Sequence, residues 1–225
     1  MAVASGTEKT RLDGDAGPIE MLVDRPKGDP LGIAVVGHPH PLLGGSATHK
    51  VPHQLAKALV ARGYLTVRPN FRGVEGSGGA HDQGRGEAQD MLAVVAHLRA
   101  MHPGLPLALA GFSFGAFVMT HVAAALAAQS VPIRHLVLTG TPYGVVKGHR
   151  SYDTPAVPAD CPDCLIVHGE RDERAQLAAL FEWARPQALP VVVVPGADHF
   201  FTGRLPLLVR IVGGYLDRPA HGATV

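Results

Sequence analysis

The chain has 225 residues, with 20 Lys+Arg against 19 Asp+Glu, 46% hydrophobic residues and two cysteines. The near-neutral charge excludes a global field for a nucleic acid or an anionic membrane. The apolar content excludes a disordered chain, and two cysteines exclude a disulfide scaffold. The length suits one domain over 1–225, with residues 1–15 and 219–225 expected to be flexible. The opening text MAVASGTEKTRLDGDAG has no apolar core of a secretory signal. With so few cysteines, a reducing, cytoplasmic setting is expected.

In chain order, Ile19–Val23 reads as a first, antiparallel edge strand. Gly32 to Gly37 is a fully apolar strand, and Val51 to Arg62 carries helical spacing at Leu55, Ala58 and Leu59. Tyr64 to Arg68 is strand-like, and a glycine-rich loop through Gly73, Gly76, Gly78 and Gly79 follows. Glu87 to Met101 reads as a helix with Met91, Val94, Val95 and Leu98 on one face. Its first turn holds Glu87 and Asp90, and His102-Pro103-Gly104 ends it. From Leu105 to Ile133 there is no charged residue. Pro106, Gly111, Gly115 and Pro132 break that run into a buried strand, a tight turn and a buried helix rather than a membrane span. Further short strands are expected at 107–110, 136–138, 165–167 and 191–194. Helices are expected near 114–128, 175–184 and 205–216. Strands alternating with helices imply an α/β fold with a mainly parallel sheet of about seven strands, helices on both faces. Chemistry in such sheets gathers at the carboxyl ends of the strands.

The strongest local signal is Gly111-Phe112-Ser113-Phe114-Gly115, a G-x-S-x-G between a strand and a helix. A strand that turns at once into a helix strains the turn residue. Side chains two positions either side would collide, hence the two glycines. Ser113 would then project above the sheet at a helix amino end, where developing negative charge is favoured. A serine hydroxyl needs a base, and the base an orienting acid, in the chain order Ser, Asp, His. Of 13 histidines, His121 lies about 12 Å along the same helix and is out of reach. His199 follows the 191–194 strand and is the preferred base; His168, at a strand end, reads as packing. Asp172 is the preferred acid because it lies beyond the Gly169 turn, with Asp163, Glu170, Glu173 and Asp198 as competitors.

Acyl transfer needs two N–H donors aimed at the oxyanion. One should be Phe114; the other should come from His38-Pro39-His40-Pro41-Leu42-Leu43-Gly44-Gly45. The prolines have no N–H, so Leu42 is preferred, with Leu43 and His40 as alternatives. Leu42, Leu43, Phe112, Phe114, Tyr143, Phe200 and Phe201 are candidates for an apolar acyl slot. His38-x-His40 lacks a neighbouring carboxylate, so no metal is expected. Cys161-Pro-Asp-Cys164 precedes a strand rather than opening a helix, which argues for two reduced thiols. The segment 73–86 lacks a phosphate-loop lysine and reads as a flexible loop beside the site.

The combination of His38–Gly45, Asn70–Ser77, Gly84–Glu87, Gly111–Gly115, His168–Asp172 and Pro195–Phe201 resembles the α/β-hydrolase superfamily, and more narrowly its small, lidless bacterial esterase-like members. The resemblance runs from about Leu31 to Leu216. It implies Ser113 as nucleophile, His199 as base and Asp172 as acid, with Phe114 and the His40–Leu43 loop as oxyanion hole. It implies no cofactor. Residues 140–163 are too few for a full cap. The expected activity is hydrolysis of small-molecule carboxylic esters with short to medium acyl chains. Thioester, lactone (dienelactone-type) or peptide hydrolysis and a non-catalytic binding role are the alternatives.

Overall fold

The structure is a computed structural model that describes residues 6–159, 161 and 164–218. Its elements are β1 (Thr7–Gly14), β2 (Gly17–Asp24), β3 (Gly32–Gly37), α1 (Lys50–Val60), β4 (Tyr64–Pro69), α2 (Arg85–Met101), β5 (Leu107–Phe112), α3 (Phe114–Ala128), β6 (His135–Thr139), β7 (Gly144–Val145), β8 (Ser151–Tyr152), β9 (Cys164–Gly169), α4 (Leu177–Ala184), β10 (Val191–Val194) and α5 (Leu205–Leu216). Eight strands form one sheet in the order β1-β2-β4-β3-β5-β6-β9-β10. The strands from β4 to β10 run parallel, while β2 meets β4 and β1 meets β2 antiparallel. This is an α/β-hydrolase fold.

The period of two along a strand decides the two cores. Ile33, Val35, Leu107, Leu109, Leu136 and Leu138 face one side, with α2, α3 and α4 packed on them through Met91, Val94, Phe117, Met119, Leu180 and Trp183. Ala34, Val36, Ala108, Ala110, Val137 and Val167 face the other, covered by α1 and α5 through Leu55, Leu59, Leu208 and Val212. Central strands buried on both faces therefore read as unbroken apolar text. Between β6 and β9 the described residues hold only the two-residue hairpin β7–β8, and no cap domain.

Two expectations need correction. Residues 7–14 form β1, so that part of the stretch expected to be flexible is a strand, and β2 is not the edge. Its text, Thr-Glu-Lys-Thr-Arg-Leu-Asp-Gly, is polar because most of its residues are exposed. It is held instead by the hairpin ladder to β2 and by the Lys9–Glu20 ion pair at 3.1 Å. Residues 219–225 lie outside the described residues. Among the described residues no helix is long and apolar enough to cross a membrane.

Arg68 ties this side of the sheet together. It is 3% exposed and grips Asp24 through Nε at 2.8 Å and Nη2 at 3.1 Å. Its Nη1 donates to the Ala47 carbonyl at 2.7 Å, ahead of α1. Thr7 Oγ1 of β1 donates to the same Asp24 carboxylate. Removing one partner of a buried pair strands the other charge. Asp24→Ala is therefore expected to cost about 3–5 kcal/mol in urea unfolding. A loss well under 1 kcal/mol would contradict the role given to this pair.

Candidate active site

The parallel register aligns Gly37 with Gly111, Phe112 with Thr139, and Gly169 with Val194. The loops that follow these strands therefore leave the sheet at one edge. The chain turns from β5 into α3 at Ser113, which has φ 56° and ψ −122°. That is a left-handed conformation for a residue with a side chain, and it is held from three directions. Ser113 N–H donates to the Thr139 carbonyl at 2.8 Å. A Cβ on Gly111 would lie 2.4 Å from the Gly115 carbonyl oxygen, and a Cβ on Gly115 would lie 2.3 Å from that of Gly37. Three backbones approach this closely only because all three residues are glycine.

The three expected polar side chains come together. His199 Nε2 lies 2.9 Å from Ser113 Oγ, and His199 Nδ1 lies 2.6 Å from Asp172 Oδ2. Asp172 is 6% exposed. Its Oδ1 accepts the main-chain N–H groups of Arg174 at 2.9 Å and Ala175 at 2.8 Å. The competing acids are engaged elsewhere. Glu170 accepts Gly196 N–H, Asp198 accepts the N–H groups of Phe200 and Thr202, and Glu173 is exposed beside Lys147. Asp163 lies outside the described residues. His168 packs under Asp172, with Nε2 bonded to the Ala175 carbonyl at 2.8 Å and 3.4 Å from Asp172 Oδ2. Burial holds its pKa below the ordinary histidine range despite that carboxylate.

The loop after β3 corrects the choice of Leu42. Its N–H donates to His40 Nδ1 at 3.2 Å, and Leu43 N–H donates to the His40 carbonyl at 3.1 Å. The Pro41–Leu43 turn curls these donors inward, and the Leu42 side chain is 72% exposed. The main-chain N–H groups of His40 and Phe114 make no hydrogen bond among the described residues, and the two rings lie 5.0 Å apart.

A cleft of about 80 Å³ opens over Ser113 and His199. Leu43 and Phe200 line it as expected. Phe112, Phe201 and Tyr143 do not. Phe112 and Phe201 have no exposed surface and belong to the core beneath the α1 and α5 face. Phe112 supports the His199 ring from below, at 4.9 Å between centroids. Tyr143 packs on the opposite core. His49, Val146, Arg150, Tyr152 and Arg174 also line it, although nothing in the sequence pattern singles them out. Their signal is slight: single residues in loops or in the two-residue strand β8, with no periodicity.

His38 donates from Nδ1 to the Pro39 carbonyl at 2.7 Å and accepts Phe71 N–H at Nε2 at 2.9 Å. Among the described residues no group of three or more His, Cys, Asp or Glu is placed to hold a metal ion. The 73–86 segment is braced rather than loose: buried Glu87 accepts the N–H groups of Asp82 and Gly84 and bonds His81.

Burial lowers the pKa of His38 to about 3, and of His40 and His49 to about 4; His81 and Arg150 add to the effect at His40, Lys50 and His199 at His49. A folded pKa below the unfolded value of about 6.5 means the unfolded chain takes up protons first. Stability is then full above pH 6.5 and falls as the pH drops toward 4. Fully buried His38 alone contributes a slope of up to about 1.4 kcal/mol per pH unit in that window. Urea midpoints at pH 7.5 and 5 should show the loss, and His38→Gln should flatten it. A pH-independent midpoint would contradict this.

The turn itself has a simpler test. Gly115→Ala puts a methyl against main chain that cannot yield, so destabilisation of more than about 3 kcal/mol is expected by thermal or urea unfolding. A variant as stable as the parent would mean the three backbones are not this close.

Residues 41–163 match the family described as alpha/beta hydrolase fold. Over 214 residues the chain is 31% identical to a protein of Rickettsia prowazekii, covering 91% of this chain and 87% of that one. Among solved structures it is similar to an a/b serine hydrolase without lid from Xanthomonas campestris, at 32% identity and TM-score 0.84, with 99% of each chain covered. It is also similar to an alpha-beta serine hydrolase homologue from Coxiella burnetii, at 36% identity and TM-score 0.78, with 93% and 97% covered.

Proposed function

The chain belongs to the alpha/beta hydrolase family, and from that membership we propose that it hydrolyses carboxylic esters through a Ser113–His199–Asp172 triad. The observation that carries the reading is the continuous line of contacts, 2.9 Å from Ser113 Oγ to His199 Nε2 and 2.6 Å from His199 Nδ1 to Asp172 Oδ2. Both distances suit hydrogen bonds, and the second is short as expected for one to a carboxylate.

In this mechanism His199 Nε2 takes the Ser113 proton as Oγ attacks the acyl carbon. Asp172 keeps the Nδ1–H tautomer and stabilises the imidazolium that forms. Its own orientation is set by the Arg174 and Ala175 N–H groups. The tetrahedral oxyanion is received by the N–H groups of Phe114 and His40, which have no other acceptor in the described residues. Phe114 is the first residue of α3, so the helix amino end adds favourable potential there. Collapse transfers the proton to the leaving alcohol, and water then attacks the acyl-enzyme with His199 again as base. No step requires a metal or an organic cofactor.

The cleft over Ser113 is open to solvent and carries the apolar side chains of Leu43, Val146 and Phe200, which suits short to medium acyl chains. With no cap domain among the described residues, no interfacial activation is expected.

The expected kinetic signature is non-additive. Ser113→Ala and His199→Ala should each lower kcat for a 4-nitrophenyl ester by about 10⁴-fold or more. The double variant should be hardly slower than either single one, because the residues act as a unit. Wild-type turnover by Ser113→Ala, or full additivity in the double variant, would remove the triad from the reaction.

A further inference from the structure

We propose that the substrate carries an oxyanion group, a carboxylate or a phosphate, which Arg150 and Arg174 receive at the mouth of the cleft over Ser113. This inference rests on the proposed serine chemistry and deepens it.

The two arginines reach the same cleft from different parts of the chain. Arg150 leads into β8 of the small hairpin, and Arg174 follows the Asp172 turn after β9. Among the described residues no Asp or Glu lines that cleft. The triad carboxylate, Asp172, is committed to His199 and two main-chain N–H groups. Glu173, next to Arg174, points into solvent and pairs with Lys147 at 3.7 Å.

The contrast is with buried Arg68 and half-buried Arg72; Arg150 is itself half-buried and Arg174 is exposed. Arg68 and Arg72 each hold a carboxylate with two bonds, to Asp24 and to Asp90. Arg150 has no carboxylate partner among the described residues. One Nη donates to the Lys147 carbonyl at 3.2 Å, the side chain lies beside the Tyr152 hydroxyl, and Nε is buried without a hydrogen-bond partner among the described residues. A buried donor left unmade is costly, and such groups are normally satisfied. Arg174 is exposed and has no ion pair among the described residues. Its guanidinium rests 5.0 Å over the Phe200 ring, with the Lys50 ammonium 5.6 Å from the same ring. Stacking on an aromatic face fixes the plane of a guanidinium and leaves its edge for a ligand. The histidines along the cleft add no positive charge of their own, since burial keeps His40 and His49 neutral above about pH 4, so the rim's charge comes from the arginines. The site is thus an acyl slot with a positive rim, and a guanidinium fork matches a carboxylate or phosphate better than a neutral group.

The test compares 4-nitrophenyl hemisuccinate with its neutral methyl ester, which has nearly the same length, and with 4-nitrophenyl 3-phosphonopropanoate. The readout is the ratio of kcat/KM for each anionic ester to that for the neutral one. For the wild type, hemisuccinate or the phosphonate should be preferred by about tenfold or more, the worth of one charge-assisted hydrogen bond. Whichever anion leads identifies the headgroup. The preference should shrink with added salt. Arg150→Gln and Arg174→Gln should each lower the ratio, while Arg150→Lys should retain part of it. A wild-type ratio of one or less for both anions, or a ratio undiminished in both glutamine variants, would overturn the proposal. A fluorophosphonate probe separates the two levels. Labelling at Ser113 with no anion preference overturns the anion site alone, whereas no labelling at Ser113 overturns the serine mechanism and this inference with it.

Discussion

Everything at the carboxyl edge of the sheet depends on one close approach of backbones. Gly37, Gly111 and Gly115 let β3, β5 and the first turn of α3 meet at distances no side chain would permit. Ser113 is thereby forced into a left-handed conformation that costs on the order of 1–3 kcal/mol. The cost is offset by the ladder that continues through Ser113 N–H to Thr139 and by Thr139 Oγ1 donating to the Gly111 carbonyl. What the strain achieves is position. The hydroxyl stands clear of the sheet, and Phe114 N–H, with no helical partner, lies beside it.

The rest of the arrangement is a consequence of parallel pairing. Because β6, β9 and β10 stay in register with β5, residues 59 and 86 positions further along the chain return to the same edge. The Asp172 loop and the His199 loop are also tied to each other. Arg171 N–H donates to the Ala197 carbonyl and Glu170 N–H to that of Val194. The Glu170 carboxylate in turn accepts Gly196 N–H. The acid and the imidazole are therefore held as one rigid piece, with Phe112 as a platform under the ring. The open cleft above them is bounded on one side by the β7–β8 hairpin, through Val146 and Tyr152.

Much of this was legible in the sequence, for identifiable reasons. Strands β3, β5 and β6 are buried on both faces, so their text is apolar without interruption and marks itself. The elbow glycines are dictated by sterics and survive as a motif. β1 was not legible, because a mostly exposed edge strand has polar text and takes its stability from the ladder. Leu42 was chosen because proline cannot donate, which is sound as far as it goes. It fails because the His40 ring nitrogen captures the Leu42 N–H, a local bond that no periodicity reveals. Phe112 and Phe201 were placed in the slot on apolarity alone. Their burial follows from strand alternation and from a positive φ at Phe201 that turns its side chain under the sheet edge. Arg150 and Arg174 carry no pattern in the sequence; what sets them apart is their place along the cleft over Ser113.

The central claim is that Ser113 forms a covalent bond to the acyl group during turnover. Rapid acid quenching of the enzyme in the presence of a 4-nitrophenyl ester, followed by peptide mass spectrometry, reads this directly. The account predicts one acyl group on the peptide that contains Ser113, appearing with a stoichiometric burst of nitrophenolate and absent in Ser113→Ala. Steady turnover with no acylated peptide, or acyl transfer to a different residue, would contradict it.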